Sequence, residues 1–272
     1  MRRGVFYANN QPIAIVQVLE KRVAGIIKVI RINRGPLCLR VLLPQEIRAV
    51  WKKLALLGSL WQGRLLSVAP ELVLTGSSLA LIGNIGFRQI SPQAFESIWV
   101  DLQVNLETLR KQINGKWRNM LTASEKNNFQ TNIGCDAKLF GWMMEQYQIQ
   151  MKEKNYSGPS VSLIEALRDN LNDYEELLIL RADHEGEAVG GVCLVRHGLA
   201  ATYLLGWNNS KGRNLKVSHY LVWNALVHLK QLGVRWFDLG GISEEKTPGI
   251  TAFKSGLNGN RYELVGEYLK WY

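Results

Sequence analysis

Gln11-Pro12-Ile13-Ala14-Ile15-Val16-Gln17-Val18-Leu19 and Glu187-Ala188-Val189-Gly190-Gly191-Val192-Cys193-Leu194-Val195 carry the same pattern at two distant places in the chain. Each is an apolar run entered through a turn, Asn9-Asn10 in one case and Asp183-His184-Glu185-Gly186 in the other, and reads as a strand. A charged turn, Glu20-Lys21-Arg22, leads from the first to a second strand, Ala24 to Ile32. Arg196-His197-Gly198 leads from the other to a strand-like run, Leu199 to Trp207. A loop rich in Gly, Asn and basic residues follows each hairpin: Asn33-Arg34-Gly35-Pro36, then Asn208-Asn209-Ser210-Lys211-Gly212-Arg213-Asn214. Each loop precedes an apolar helix, and each helix a strand. The first helix starts after Pro44, places Ile47, Val50, Trp51, Leu54 and Leu57 on one face, and stops at Gly58. The second runs from Lys216 to Leu232, ends at Gly233, and has only Asn224, His228 and Gln231 as a polar stripe, so it is expected to be buried. Hairpin, loop, helix and strand occurring twice predict a duplicated α/β (α+β) unit.

Between the copies, Ser97 to Leu102 reads as a strand, and Leu106 to Asn127 as a basic amphipathic helical region interrupted at Gly115. Phe140 to Met151 reads as a helix with a Trp/Met face. Ser157-Gly158-Pro159-Ser160 breaks it, and Ser162 to Leu171 forms another short helix. The turn at Ser91-Pro92 places the boundary between Gly86 and Ser97, giving domains 1–96 and 97–272.

The chain has 272 residues, 47% of them hydrophobic and 21% charged, which is the composition of a folded protein. Its formal net charge of +10 suits an anionic partner such as RNA, a nucleotide, a phospholipid surface or a pyrophosphate-bearing substrate; a merely solvated basic surface accounts for it equally well. Cys38, Cys135 and Cys193 are far apart among apolar or small residues and read as ordinary buried thiols of a reducing compartment. No apolar run reaches the ~20 residues of a membrane span, and Met1 to Asn10 lacks the apolar stretch of a signal peptide. A cytoplasmic protein is the expectation.

No GxSxG elbow, HExxH, P-loop or strand-borne GxGxxG occurs. His184, His197, His219 and His228 lie outside any metal-ligand spacing, so no metal is expected; His219 stands apart because it opens the helix after the basic loop. In that loop, Lys211 and Arg213 carry positive charge to a helix N-terminus, and Gly212 allows close backbone approach, as an anion site requires. The pyrophosphate loop of GNAT acetyltransferases follows Gln/Arg-x-x-Gly-x-Gly/Ala; against it, Asn209-Ser210-Lys211-Gly212-Arg213-Asn214 keeps only the central Gly, which disfavours acetyl-CoA as donor. Trp236-Phe237-Asp238-Leu239-Gly240-Gly241-Ile242 is a buried strand ending in two glycines, with Asp238 where α/β folds place functional groups, although a turn-capping carboxylate is the simpler role. Thr247-Pro248-Gly249 then opens a short helix, Ile250 to Ser255, whose one charge is Lys254.

The order helix, FDLGGI, GIxxFKxG, then a last strand containing Leu264-Val265-Gly266-Glu267-Tyr268 resembles the FemABX peptidyltransferases, which are built from tandem GNAT-like domains. Lys116-Trp117-Arg118-Asn119-Met120-Leu121 with Ala123 and Lys126 is similar to the family's K-x-R-x-x-[IL]-x-x-A-x-K helix, Val100-Asp101-Leu102 to the V-D-L strand before it, and Arg34-Gly35-Pro36 to its R-G-P turn. The resemblance implies two tandem GNAT-like domains, the first an incomplete copy because members carry a longer segment before the first hairpin. Leu257 stands where members commonly have Phe.

Members move an amino acid from aminoacyl-tRNA to an amine of a peptidoglycan precursor, so the resemblance implies an aminoacyltransferase of cell-wall synthesis. Its co-substrate would be charged tRNA, with no other cofactor, and its acceptor a precursor that can be lipid-linked at the inner membrane face. By the same resemblance Lys254 contacts phosphate or developing negative charge and acts with Asp238 at the catalytic centre. Phe253, Arg213, Lys211, Tyr220, Gly240, Gly241, Lys116 and Arg118 then belong to the substrate-binding surface. Two other functions remain open: a GNAT-like N-acyltransferase using CoA or another acyl donor, and a non-catalytic RNA- or precursor-binding protein with a degenerate first domain.

Overall fold

From Ala14 onward, strand β2 (Gln11–Val23) buries Ala14, Val16 and Val18 and leaves Ile15, Gln17 and Leu19 to solvent, the period-two pattern of a strand with one covered face; Ile13, on the other face, is buried as well. The computed structural model describes residues 1–23, 25–91 and 94–271, and the chain divides into two compact units. The expected strand start at Ala24 and the proline of the Ser91-Pro92 turn lie outside the described residues.

The first unit comprises Met1–Glu96 and Tyr262–Tyr272. It contains β1 (Arg2–Ala8), β2, β3 (Ile27–Asn33), β4 (Leu37–Cys38), helix α1 (Pro44–Ala55), β5 (Arg64–Ala69), α2 (Gly76–Asn84) and β6 (Arg88–Ser91). The second unit, Ser97–Arg261, begins with β7 (Glu96–Asp101), α3 (Leu106–Gln112), α4 (Gly115–Ser124), β8 (Gln130–Gly134), α5 (Ala137–Glu153) and α6 (Val161–Asp169). It continues with β9 (Leu177–His184), β10 (Glu187–His197), β11 (Ala200–Asn208), α7 (Ser210–Asn214), α8 (Val217–Gln231), β12 (Trp236–Asp238), α9 (Pro248–Ser255) and β13 (Asn260–Glu263). Strand β14 (Glu267–Lys270) closes the chain.

The two sheets are topological copies. The first runs β1-β2-β3-β5-β14-β6, with β4 on β2, and the second runs β8-β9-β10-β11-β12-β7-β13. In each, antiparallel hairpins lead to one parallel pair, β3 with β5 and β11 with β12, joined through the long helix. In each, the strand beyond that pair runs antiparallel to it: β14 beside β5, β7 beside β12.

Assigning 97–272 to one domain therefore requires correction, because residues 262–272 belong with the first unit. β14 pairs with β5 and β6, and Arg31 on β3 grips Glu267 with two hydrogen bonds of 2.9 and 2.8 Å while also donating to Ser67 Oγ at 2.6 Å. The single last strand splits into β13 and β14 around Gly266. The strand next to β5 is supplied by the other end of the chain. The supposed turn at Glu20-Lys21-Arg22 is part of β2, where Glu20 pairs with Lys28 across the hairpin at 2.9 Å. Cys135 and Cys193 are buried as expected, but Cys38 is exposed on the short β4.

The units are covered differently. In the first, α1 and α2 pack Val50, Trp51, Leu54 and Ile82 on one sheet face. In the second, alternate residues serve two cores: Leu178, Leu180, Val192 and Leu194 meet α4 and α8, while Leu177, Ile179 and Cys193 meet α5 and α6. No described helix is long and apolar enough to cross a membrane.

Candidate active site at the opened parallel pair

β11 and β12 pair in parallel only from Ala200–Trp236 to Thr202–Asp238. β11 continues to Asn208, whereas the other chain turns off at Gly240. Gly240 has φ +72°, and a Cβ there would stand 2.6 Å from the Tyr203 carbonyl oxygen, so a side chain is excluded both by the left-handed backbone and by contact. The parallel pair thus opens at Tyr203, beside the carboxyl end of β12, the kind of strand end where α/β sheets bind ligands.

Asp238 ends β12 and is 7% exposed. Its Oδ1 accepts the Gly240 N–H at 2.7 Å and the hydroxyl of the fully buried Ser97 on β7. These bonds hold the turn that opens the strands, so the carboxylate positions the site.

Lys254 lies on α9 and is only 8% exposed, an expensive place for an ammonium group. Its Nζ donates to the Gly241 carbonyl at 2.9 Å and sits 5.3 Å from the centre of the Tyr203 ring. Desolvation lowers its pKa to about 8, and the nearby Asp238 charge opposes that fall. Lys254 is therefore a cation near neutral pH that is poised to lose its proton a little above it.

Three aromatic groups support α9. Phe253 packs 5.0 Å from the His219 ring and 5.9 Å from Trp117, and the His219 and Trp117 rings are 4.9 Å apart. Burial pushes the His219 pKa down to about 4, so this imidazole is neutral at ordinary pH; its Nδ1 and the Trp117 Nε1 are both buried without a well-formed hydrogen bond. The loop before α9 is tied down where Ser243 N–H donates to Thr251 Oγ1 at 3.1 Å.

The structure thus gathers Lys254, Asp238, Gly240, Gly241 and Phe253. The other residues named from the sequence lie elsewhere. Lys211 and Arg213 are on α7, where Lys211 pairs with Glu185 at 2.7 Å and Arg213 donates to Asn208 and Ser210 of its own loop. Gly212 serves packing, not ligand approach: a Cβ would lie 2.0 Å from the Val189 carbonyl oxygen, and its N–H is already held by Asn209 Oδ1 at 2.8 Å. Tyr220 turns to the β8 edge, its hydroxyl 3.0 Å from Thr131 and its ring 4.9 Å from Phe129. That edge is the far end of the sheet from β12. Lys116 is exposed, and Arg118 donates to the Lys111 carbonyl at the end of α3. Between them the buried Trp117 reaches α9.

Tyr203, Ser97 and Trp117 escaped the sequence reading. Their contacts join segments far apart in the chain, and only Gly240-Gly241, marking a sharp turn, hinted at the opening. Among the described residues no group of three or more His, Cys, Asp or Glu is placed to hold a metal ion.

Comparison with other proteins finds this fold elsewhere. The crystal structure of FemX superposes with a TM-score of 0.83 at 13% identity, over 100% of this chain and 88% of that one. L-PGS from Bacillus licheniformis gives a TM-score of 0.57 at 14% identity, covering 99% and 83%. A tandem GNAT protein from the clavulanic acid biosynthesis pathway gives 0.54 at 13% identity, covering 98% and 81%. At such identities the likeness is one of fold, that of tandem GNAT units. No curated protein matches the sequence. The family model described as acetyltransferase (GNAT) domain matches residues 108–255, over half of the chain and confined to the unit with the opened strands. The chain belongs to the acetyltransferase (GNAT) domain family.

Proposed function

We propose that this acyltransferase is an aminoacyltransferase that moves an amino acid from aminoacyl-tRNA to an amine of a peptidoglycan precursor. The observation that carries the reading is Lys254, a buried cation at the opening between β11 and β12. Attack of a neutral amine on an ester carbonyl places negative charge on the carbonyl oxygen. An ammonium group in a poorly hydrated site stabilises that charge more strongly than one in water. The amine nitrogen forms the new amide bond, the tRNA hydroxyl leaves, and the proton released by the amine passes to the leaving oxygen. Asp238 and Ser97 keep the turn in place, while Phe253, His219 and Trp117 fix the helix that carries Lys254.

Two features support a donor other than acetyl-CoA. The Gly212 N–H is occupied by Asn209, and Lys211 is paired with Glu185. The net charge of +10 supports a polyanionic donor. The resemblance of the Phe253-Lys254 segment to the FemABX peptidyltransferases supports a precursor acceptor. The family description favours a second reading, N-acylation from acetyl-CoA. Purified protein offered charged tRNA or acetyl-CoA, with a muramyl pentapeptide acceptor, separates the two. Aminoacyl transfer from tRNA is expected; transfer from acetyl-CoA with charged tRNA ignored would overturn the proposal.

A further inference from the structure

One end of the first unit carries an exposed apolar tip. β3 and β5 begin there side by side, with Lys28 opposite Arg64 and Lys28 N–H donating to the Gly63 carbonyl at 2.7 Å. The β2–β3 turn, the chain leaving α1 and the 3₁₀ turn Leu60–Gln62 all emerge at this end. Ile26 lies against the 3₁₀ turn, since a Cβ on Gly63 would stand 3.0 Å from the Ile26 carbonyl oxygen. Trp61 is 98% exposed, Ile26 82%, Leu56 74% and Leu60 51%. An indole and three aliphatic side chains held in water at one place call for an apolar medium.

The charge around the tip is of one sign. Segments 21–28 and 52–64 contain Lys21, Arg22, Lys28, Lys52, Lys53 and Arg64 and neither Asp nor Glu. Lys21, Arg22, Lys52 and Lys53 are exposed. The neighbouring Glu20 is already bridged to Lys28 at 2.9 Å and Arg2 at 3.3 Å. We propose that this end of the first unit docks on an anionic phospholipid bilayer, with Trp61, Ile26, Leu56 and Leu60 entering the headgroup region and the lysines and arginines lying over the lipid phosphates. Indole prefers the membrane interface, aliphatic side chains add affinity by leaving water, and basic residues are drawn to anionic lipid. RNA fits less well, because it uses aromatic stacking but leaves Ile26, Leu56 and Leu60 in water.

Co-sedimentation of the full chain with vesicles tests the proposal without reference to catalysis. Phosphatidylglycerol/phosphatidylcholine vesicles are expected to retain the protein, pure phosphatidylcholine vesicles to retain at least about tenfold less, and added salt to weaken the binding. The double variant Trp61→Glu/Ile26→Glu should lose at least about tenfold in partitioning while its circular dichroism stays that of the parent. Lys52→Glu/Lys53→Glu should lose affinity for anionic vesicles. Val41→Glu should bind normally: Val41 is 95% exposed, but its neighbour Arg40 is held by Glu46 at 2.7 Å. Failure of the parent to bind anionic vesicles, or parent-like binding by the Trp61/Ile26 variant, overturns the proposal. Loss of tRNA binding in that variant with vesicle binding unchanged assigns the tip to nucleic acid and overturns it equally.

Discussion

The two units share a topology and differ at one pair of strands. In the first, β3 and β5 stay paired from Lys28–Arg64 to Asn33–Ala69, the whole length of β5. In the second, β11 and β12 stay paired over Ala200 to Thr202 and then separate. The closed pair leaves no room between its strands, and its far end is finished by Arg34, whose N–H donates to the Ala69 carbonyl and whose guanidinium pairs with Glu71 and covers Phe95. Beside the opened pair lie the end of β12, a glycine turn and the buried Lys254. One architecture thus yields a unit with a closed parallel pair and a unit with a candidate active site, and the difference lies in where the partner strand turns away.

The largest expected effect falls on the lysine. Lys254→Met should lower transfer on the order of 10²–10³-fold in a labelled-aminoacyl assay, because it removes the cation near the developing oxyanion. Its thermal midpoint should be unchanged or raised, since an apolar side chain of similar length suits the buried position. Full activity in this variant would show that the opened pair is not the catalytic centre.

Next comes the turn that opens the strands. Gly240→Val places a branched side chain at φ +72° and against the Tyr203 carbonyl, at an expected cost of about 1–3 kcal/mol by chemical denaturation. Transfer should fall with it, because Gly241 and Lys254 move together. Wild-type stability would mean that the turn is not fixed by this contact.

pH sharpens the same comparison. The folded Lys254 titrates at about 8 and the unfolded one at its ordinary 10.5, so the native state gives up its proton first. Stability from this group is reduced while the lysine is charged in both states and rises as pH increases from about 8 toward 10.5. Catalysis should move the opposite way, with the rate falling above about pH 8 as the cation is lost. A flat alkaline limb in the pH–rate profile would remove the cation from the mechanism.

The smallest effect belongs to the closed unit. Glu267→Gln weakens the Arg31 grip on β14 and should cost about 1 kcal/mol, a modest figure because both side chains are partly exposed. Arg31 holds the Glu267 carboxyl below its ordinary value, so this contribution is present above the unfolded carboxylate's pKa and is lost as pH falls through the lower folded one. The variant should leave transfer unchanged.

Much of this organisation is legible in the residues. The repeated hairpins and the helices after Pro44 and Lys216 follow from local apolar periodicity. Lys254, Phe253 and the Gly240-Gly241 turn stand out because short helices and double glycines are written in consecutive residues. Trp117 was hidden because its significance lies in reaching across to α9, while its conspicuous neighbours Lys116 and Arg118 point elsewhere. Lys211, Gly212 and Arg213 looked like an anion loop, but charge and glycine are equally what a short capped helix packed on β10 requires.

The sequence by itself determined a duplicated α/β chain with a lysine-bearing helix after its last buried strand, since these features rest on periodicity and turn chemistry among near neighbours. Only the tertiary structure decided that β14 returns to the first sheet, that the pairing of β11 with β12 stops before Tyr203, and that Lys254 is buried with its pKa lowered to about 8. Strand pairing and desolvation depend on which distant residues meet, and pairing between distant segments is not recorded in the order of either one.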